Sequence, residues 1–169
     1  MSEKTSVKCI ALLAMLTAVT HVSRLAFQFL PNVQPVTAIL LILTFTMSTK
    51  DALIVAVLSI VLSNITLGMG VWTLAQILSF AVVVMCAAAL KPVQHKLPLM
   101  VHIVFAGAMG YLYGFIISLV QAPFFGIQNF WVYYLSGLPF DTMHALGNAG
   151  FYVILWPILP PIIRKFMNK

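Results

Sequence analysis

WTLAQILSFAVVVMCAAAL, Trp72–Leu90, decides what solvent this chain lives in. Between Gly68-Met69-Gly70 and Lys91-Pro92 it runs without a charged residue, close to the roughly 20 apolar residues that cross a hydrocarbon layer about 30 Å thick. The composition says the same of the whole chain: 62% of residues are apolar and 7% charged, against roughly a quarter charged in soluble domains. Water-compatible groups are too few to coat a soluble fold.

Working outward from that run, Pro, Gly and polar residues punctuate five more. The spans are read as Lys8 to Phe29, Val36 to Met47, Ala52 to Leu67, Trp72 to Leu90, Leu99 to Val120 and Asp141 to Phe166, with a long loop before Pro139 and prolines 157, 160 and 161 bending the last. The second is short for a crossing. In lipid such runs are helices, because unpaired backbone groups there cost several kcal/mol each. The expected fold is all-α: one integral membrane bundle of six transmembrane helices over residues 1–169, with no separate catalytic module. Lys4, Lys8, Lys50, Lys91, Lys96, Arg164, Lys165 and Lys169 then fall on one side, while the opposite loops, 30–36, 67–72 and 121–140, hold no Lys or Arg. The positive-inside rule makes both termini cytoplasmic. The net charge of +6 is topology rather than a nucleic-acid footprint, since no basic run is interleaved with stacking aromatics. Lys4 and Lys8 ahead of an apolar run resemble a signal peptide, but no small-x-small site follows and Arg24 and Gln28 continue the helix, so the segment is expected to be kept. Cys9 and Cys86 are expected near the reducing cytoplasmic face, where a disulfide is disfavoured.

Enzymatic motifs are missing. Asp51 and Asp141 should sit on opposite membrane faces, too far apart for a carboxylate dyad. There is no HExxH, GxSxG or Walker A pattern.

The loops without charge are rich in neutral polar and aromatic groups: Asn32, Gln34 and Thr37, then Trp72 and Gln76, then Trp131, Tyr133 and Tyr134. Such groups suit a large, partly flat, weakly charged ligand. Trp and Tyr also fit an interfacial belt, and Asn and Gln fit capping or interhelical bonds. In FDTMHALGN, Phe140–Asn148, a helix puts Asp141, His144 and Asn148 at i, i+3 and i+7 on one face. Ionisable groups at depth turn inward, so this face should line the bundle interior beneath the loops; Asp141, following Pro139, also fits an N-cap of the last helix. Arg24, near the outer end of the first span, is a candidate counter-ion for Asp141 and, with His21, a candidate for the same cavity. Small residues repeat at Ala14 and Ala18, an AxxxA, and at Gly107, Gly110 and Gly114; either set fits close helix packing, inside the bundle or against a partner.

PNVQPVTAILLI (Pro31–Ile42), SNITLGMGVWTLAQIL (Ser63–Leu78) and FDTMHALGN together resemble the substrate-binding S components of energy-coupling factor (ECF) vitamin transporters, and within them the cobalamin-type S components most. The resemblance covers most of the chain and implies a vitamin-binding subunit rather than an enzyme, seated in the cell membrane of a prokaryote. It implies no cofactor in this chain, since ATP is hydrolysed by two partner ATPases, and a transmembrane coupling protein docked through Ala14 and Ala18. By carry-over, Asn32, Gln34 and Thr37, then Trp72 and Gln76, then Asp141, His144 and Asn148 line the substrate cavity. The sequence departs from commoner members at Val71, where proline often precedes the Trp, and at Ser48–Lys50, where glycines are frequent. Cobalamin suits these side chains, its amide rim pairing with Asn, Gln, Thr and Tyr and its faces offering apolar area. Arg24 keeps open a carboxylate vitamin such as pantothenate, and riboflavin or queuosine-precursor carriers share the fold. A stand-alone secondary transporter relaying protons through Asp141 and His144 is the reading from another class.

Overall fold

A computed structural model describes residues 3–167, and among them lie seven α-helices: α1 Glu3–Ala26, α2 Val36–Thr46, α3 Thr49–Leu67, α4 Val71–Leu90, α5 Leu99–Phe124, α6 Phe130–Leu155 and α7 Leu159–Met167. Helices α1, α3, α4 and α5 are each long and apolar enough to cross a membrane, and α6 with α7, bent by 52° at the break between them, makes a fifth if the pair is one span. Helix α2 is different. Its 11 residues rise about 16 Å at 1.5 Å each, roughly half the hydrocarbon thickness.

That half-length helix is the post around which the bundle is built. It is apolar on every side, as a helix buried all round must be, and Val36 through Phe45 are all buried. One face, Val36, Ile39, Leu40 and Leu43, packs into a core with Leu12, Leu16, Val55, Ile60 and Phe80. The opposite face, Ala38, Leu41, Ile42 and Phe45, packs into a second core with Val83, Ala87, Ala106, Met109 and Tyr152. Each set follows the i, i+3, i+4, i+7 pattern of one helical stripe. The turn after α2 is held by a capping box: the Ser48 hydroxyl accepts from the Asp51 backbone N–H at 3.1 Å, and the Asp51 carboxylate accepts from the Ser48 hydroxyl at 2.7 Å. Ser48–Lys50 is therefore a specific helix start.

Helices α5 and α6 form a close antiparallel pair, and the glycine stripe of α5 is what lets them approach. A Cβ at Gly110 would lie 2.7 Å from the backbone of Ala145, and one at Gly114 would overlap the Asp141 carboxyl. These glycines pack inside the bundle.

The expected loop over residues 121–139 is instead mostly helix. Helix α5 continues through Pro123, and α6 begins at Phe130 and runs through Pro139. Its N-cap is Asn129, whose side chain accepts from the Val132 N–H at 3.2 Å, so Asp141 lies in mid-helix and caps nothing. Proline was a poor boundary marker because neighbouring helices in a membrane bundle tolerate the lost hydrogen bond.

The two ends of the bundle differ in chemistry. At one, the α2–α3 turn, the α4–α5 connection and α7 meet: Lys91 donates to the Met47 carbonyl, Gln94 donates to the Phe45 carbonyl at 3.0 Å, and Lys50, Lys96, Arg164 and Lys165 lie in the same segments. Lys169 and the side chain of Lys4 lie outside the described residues. At the other end gather the segments 27–35, 68–70 and 125–129, which carry no Lys or Arg.

Candidate functional site

Because α2 stops halfway, its N-terminus leaves a void at the end of the bundle that lacks basic loops. The void is a cup of about 360 Å³ between α4, α5, α6 and the α1–α2 segment, and beneath it lies a smaller annex of about 60 Å³. Asn32, Gln76 and Tyr113 line both chambers. Asn32 reaches them from a turn with φ of +56°, a left-handed conformation that Asn tolerates better than most side chains.

The Gly68-x-Gly70-x-Trp72-Thr73-x-x-Gln76 run builds one wall. Gly68, with φ of +108°, ends α3 in a conformation that favours glycine. The Trp72 indole folds back over Gly70, where any side chain would collide with it, and donates to the Gly68 carbonyl at 3.2 Å. One turn apart on α4, Thr73 and Gln76 both accept from the Asn64 side-chain amide, at 2.9 and 2.7 Å. Asn64 in turn accepts from Arg24 at 3.0 Å, and Ser63 accepts from the same guanidinium nitrogen. A polar chain thus ties α1 to α3 and α4 and fixes Gln76 at the cup.

Arg24 is not the counter-ion of Asp141. Its guanidinium is turned to Ser63 and Asn64 on α3, and it lines the annex with Gln34, Val36, Phe80 and His144. Asp141, 6% exposed, lines the cup opposite Trp72, and among the described residues no group hydrogen-bonds to its carboxyl. His21 lines neither chamber.

The acid, imidazole and amide stripe of α6 descends from this cup into the core. Asp141 is at the cup and His144 at the annex, where His144 Nε2 lies 2.8 Å from the Thr37 hydroxyl and the imidazole meets the Tyr113 ring at 4.8 Å. Asn148 is fully buried a turn lower and donates to the Ala106 carbonyl at 3.3 Å; it lines no chamber, because the cup ends at the level of α2's first turn. Thr37 is likewise fully buried and touches the site only through His144. Tyr133 lines the cup, its hydroxyl donating to Gln121 at 3.3 Å. Trp131 points away, 64% exposed, and Tyr134 stacks on Phe130 and meets Phe115 edge-on, so neither reaches the cup from the first turns of α6.

Tyr113, Gly114 and Gln121 were missed in the sequence. Tyr113 and Gly114 belong to the GYLYG run, Gly110–Gly114, where tyrosines flanked by the closest-packing glycines signal a hydroxyl at depth beside a neighbouring helix. Gln121 was readable as an amide near the end of an apolar span.

A helical bundle with membrane-crossing helices, a buried half-helix and a polar cup is a multi-pass membrane protein built to hold a small molecule. The family model of the ECF transporter substrate-specific component matches residues 8–163, and the chain belongs to that family. It is a substrate-binding subunit of a membrane importer rather than an enzyme. No curated protein and no solved structure matches the chain.

Proposed function

We propose that the chain captures a vitamin, cobalamin, from outside a prokaryotic plasma membrane and delivers it through a transmembrane coupling protein and two ATPases. The observation that carries the reading is the cup itself: an opening lined by Asn32, Gln76, Gln121, Trp72 and Tyr133, neutral hydrogen-bonding groups interleaved with aromatic faces. A corrin rim of amides pairs with such groups without asking for a cation at the mouth. The segregation of Lys and Arg to the opposite end, with Arg24 the exception at the annex, favours cytoplasmic termini and an outward cup, with α2 completing six passes as a half-span. Asn32, Gln34, Trp72, Gln76, Tyr133, Asp141, His144 and Arg24 are the proposed substrate contacts, Thr37 and Asn148 support them from below, and Trp131 and Tyr134 form an aromatic rim at headgroup depth. The chain needs no nucleotide site of its own, because hydrolysis belongs to the partner ATPases.

A second reading rests on size. About 360 Å³ is near the lower end of the roughly 300–1,000 Å³ that encloses a drug-sized ligand, so a compact vitamin such as riboflavin, pantothenate or a queuosine precursor fits whole, whereas a corrinoid seats only one edge unless α5 and α6 part. Calorimetric titration of the purified chain with cobalamin, riboflavin, pantothenate and a queuosine precursor separates the two. Tight binding of cobalamin supports the first; silence toward corrinoids with tight binding of a compact vitamin supports the second. Substrate flux into liposomes holding this chain alone would overturn both in favour of a secondary transporter.

A further inference from the structure

Two charged side chains face the site, Arg24 from the annex and Asp141 from the cup wall, and among the described residues neither has a counter-ion. Arg24, 7% exposed, carries five N–H donors. Nη1 is committed to Ser63 and Asn64; the remaining donors have no partner among the described residues, and the side chain lines the annex. The N-terminus of α2 opens on the same annex through Val36, with Pro35 at its N-cap and no side chain capping it, so the floor is positive on two counts. On the cup wall, Asp141 is 6% exposed and without a hydrogen-bond partner among the described residues, and Gly114 leaves the space its carboxyl occupies. Of the other two acids, Asp51 is consumed in the capping box at the far end of the bundle and Glu3 begins α1, so no second acid stands beside Asp141 to share a proton.

Unpaired charges at this depth are expensive and mark function. We infer that the substrate meets the site with two chemically opposite ends: a hydrogen-bond acceptor, anionic or strongly polarised, on Arg24 at the floor, and an N–H donor, amide or ammonium, on the Asp141 carboxylate at the wall. Tyr113 and Gln76, which line both chambers, bridge the two poles along the ligand's body. The inference rests on the substrate-binding reading and narrows it to ligands carrying both groups.

A pole held for a ligand destabilises the empty protein, whereas a structural ion stabilises it, and this difference sets the test. Asp141→Asn, Asp141→Leu and Arg24→Lys are compared with the wild-type chain by melting temperature without ligand and by titration with cyanocobalamin, riboflavin and pantothenate. The expected result is an unchanged or raised melting temperature for both Asp141 variants, with affinity for the probe that binds wild type reduced at least tenfold by Asp141→Asn and by Arg24→Lys. A melting temperature several degrees lower in both Asp141 variants, or wild-type affinity in Asp141→Asn, overturns the inference while leaving the substrate-binding reading intact. If none of the probes binds the wild-type chain, the proposed ligands fail, and the melting temperatures alone decide whether Asp141 is a structural group.

Discussion

Gly107 and Gly110 stand on the same stripe of α5, yet a methyl group at each should have opposite effects. At Gly107 the nearest atom to an added Cβ is the Ala145 carbonyl oxygen at 3.6 Å, an ordinary contact; at Gly110 it is the Ala145 backbone at 2.7 Å, which cannot swing aside. Gly110→Ala should therefore destabilise by about 1–3 kcal/mol through overpacking. Gly107→Ala should be neutral or gain up to about 1 kcal/mol from helix propensity. Thermal melts of the two variants in the same detergent check the contrast, and equal melting temperatures would remove the claim that α5 and α6 are locked at Gly110. Spacing announced that small residues recur here, but which of them touches backbone depends on the rotation of α5 against α6, and no local pattern encodes that. The stripe on α6 was likewise legible as a face without its depth: Asp141, His144 and Asn148 do share one side, and only the height at which α2 stops decides that the first two meet the cavity and the third is sealed beneath it.

Helix boundaries were legible where a residue has one structural meaning and not where the membrane gives it two. Val36 begins α2 as read, since Pro35 precedes it and an unbroken apolar run follows. Pro139, by contrast, reads as a stop but sits inside α6, so Trp131, Tyr133 and Tyr134 are helical where a loop is expected and Asp141 is mid-helix where a cap is expected. The box at Ser48 is the counterexample, a polar turn whose side chains specify the helix that follows. Ser48→Ala removes the acceptor for the Asp51 N–H and should cost about 1 kcal/mol, whereas Ser48→Gly should cost only a few tenths. Denaturant or thermal unfolding of both variants measures the difference; a loss of the same size in each would mean that the hydroxyl contributes nothing.

For the whole molecule, the composition points to the membrane environment and the charge asymmetry to a sidedness, but the cup's volume follows from how far α4, α5 and α6 stand from one another and from the α1–α2 segment, which no run of residues states. The outer surface raises a different question: which lipid-facing strip is kept for a partner. Ala14 and Ala18 are exposed, not packed within the bundle, and they lie among Val7, Ile10, Met15 and Val22, each 58–65% exposed. Alanines at i and i+4 flanked by large apolar side chains form a shallow groove that a second helix can enter closely, and in a bilayer such contact is driven by packing, because lipid tails are as apolar as the side chains they replace. Filling the groove should then separate assembly from capture. Ala14→Leu with Ala18→Leu is expected to reduce co-purification with the proposed coupling protein and ATPases at least tenfold while leaving substrate affinity and melting temperature unchanged, since neither residue lines the cup or its annex or belongs to a core cluster. Undiminished co-purification of the double variant would move the docking surface off this face of α1; a parallel loss of substrate affinity would mean that α1 carries strain into the annex through Arg24, which stands on the same helix.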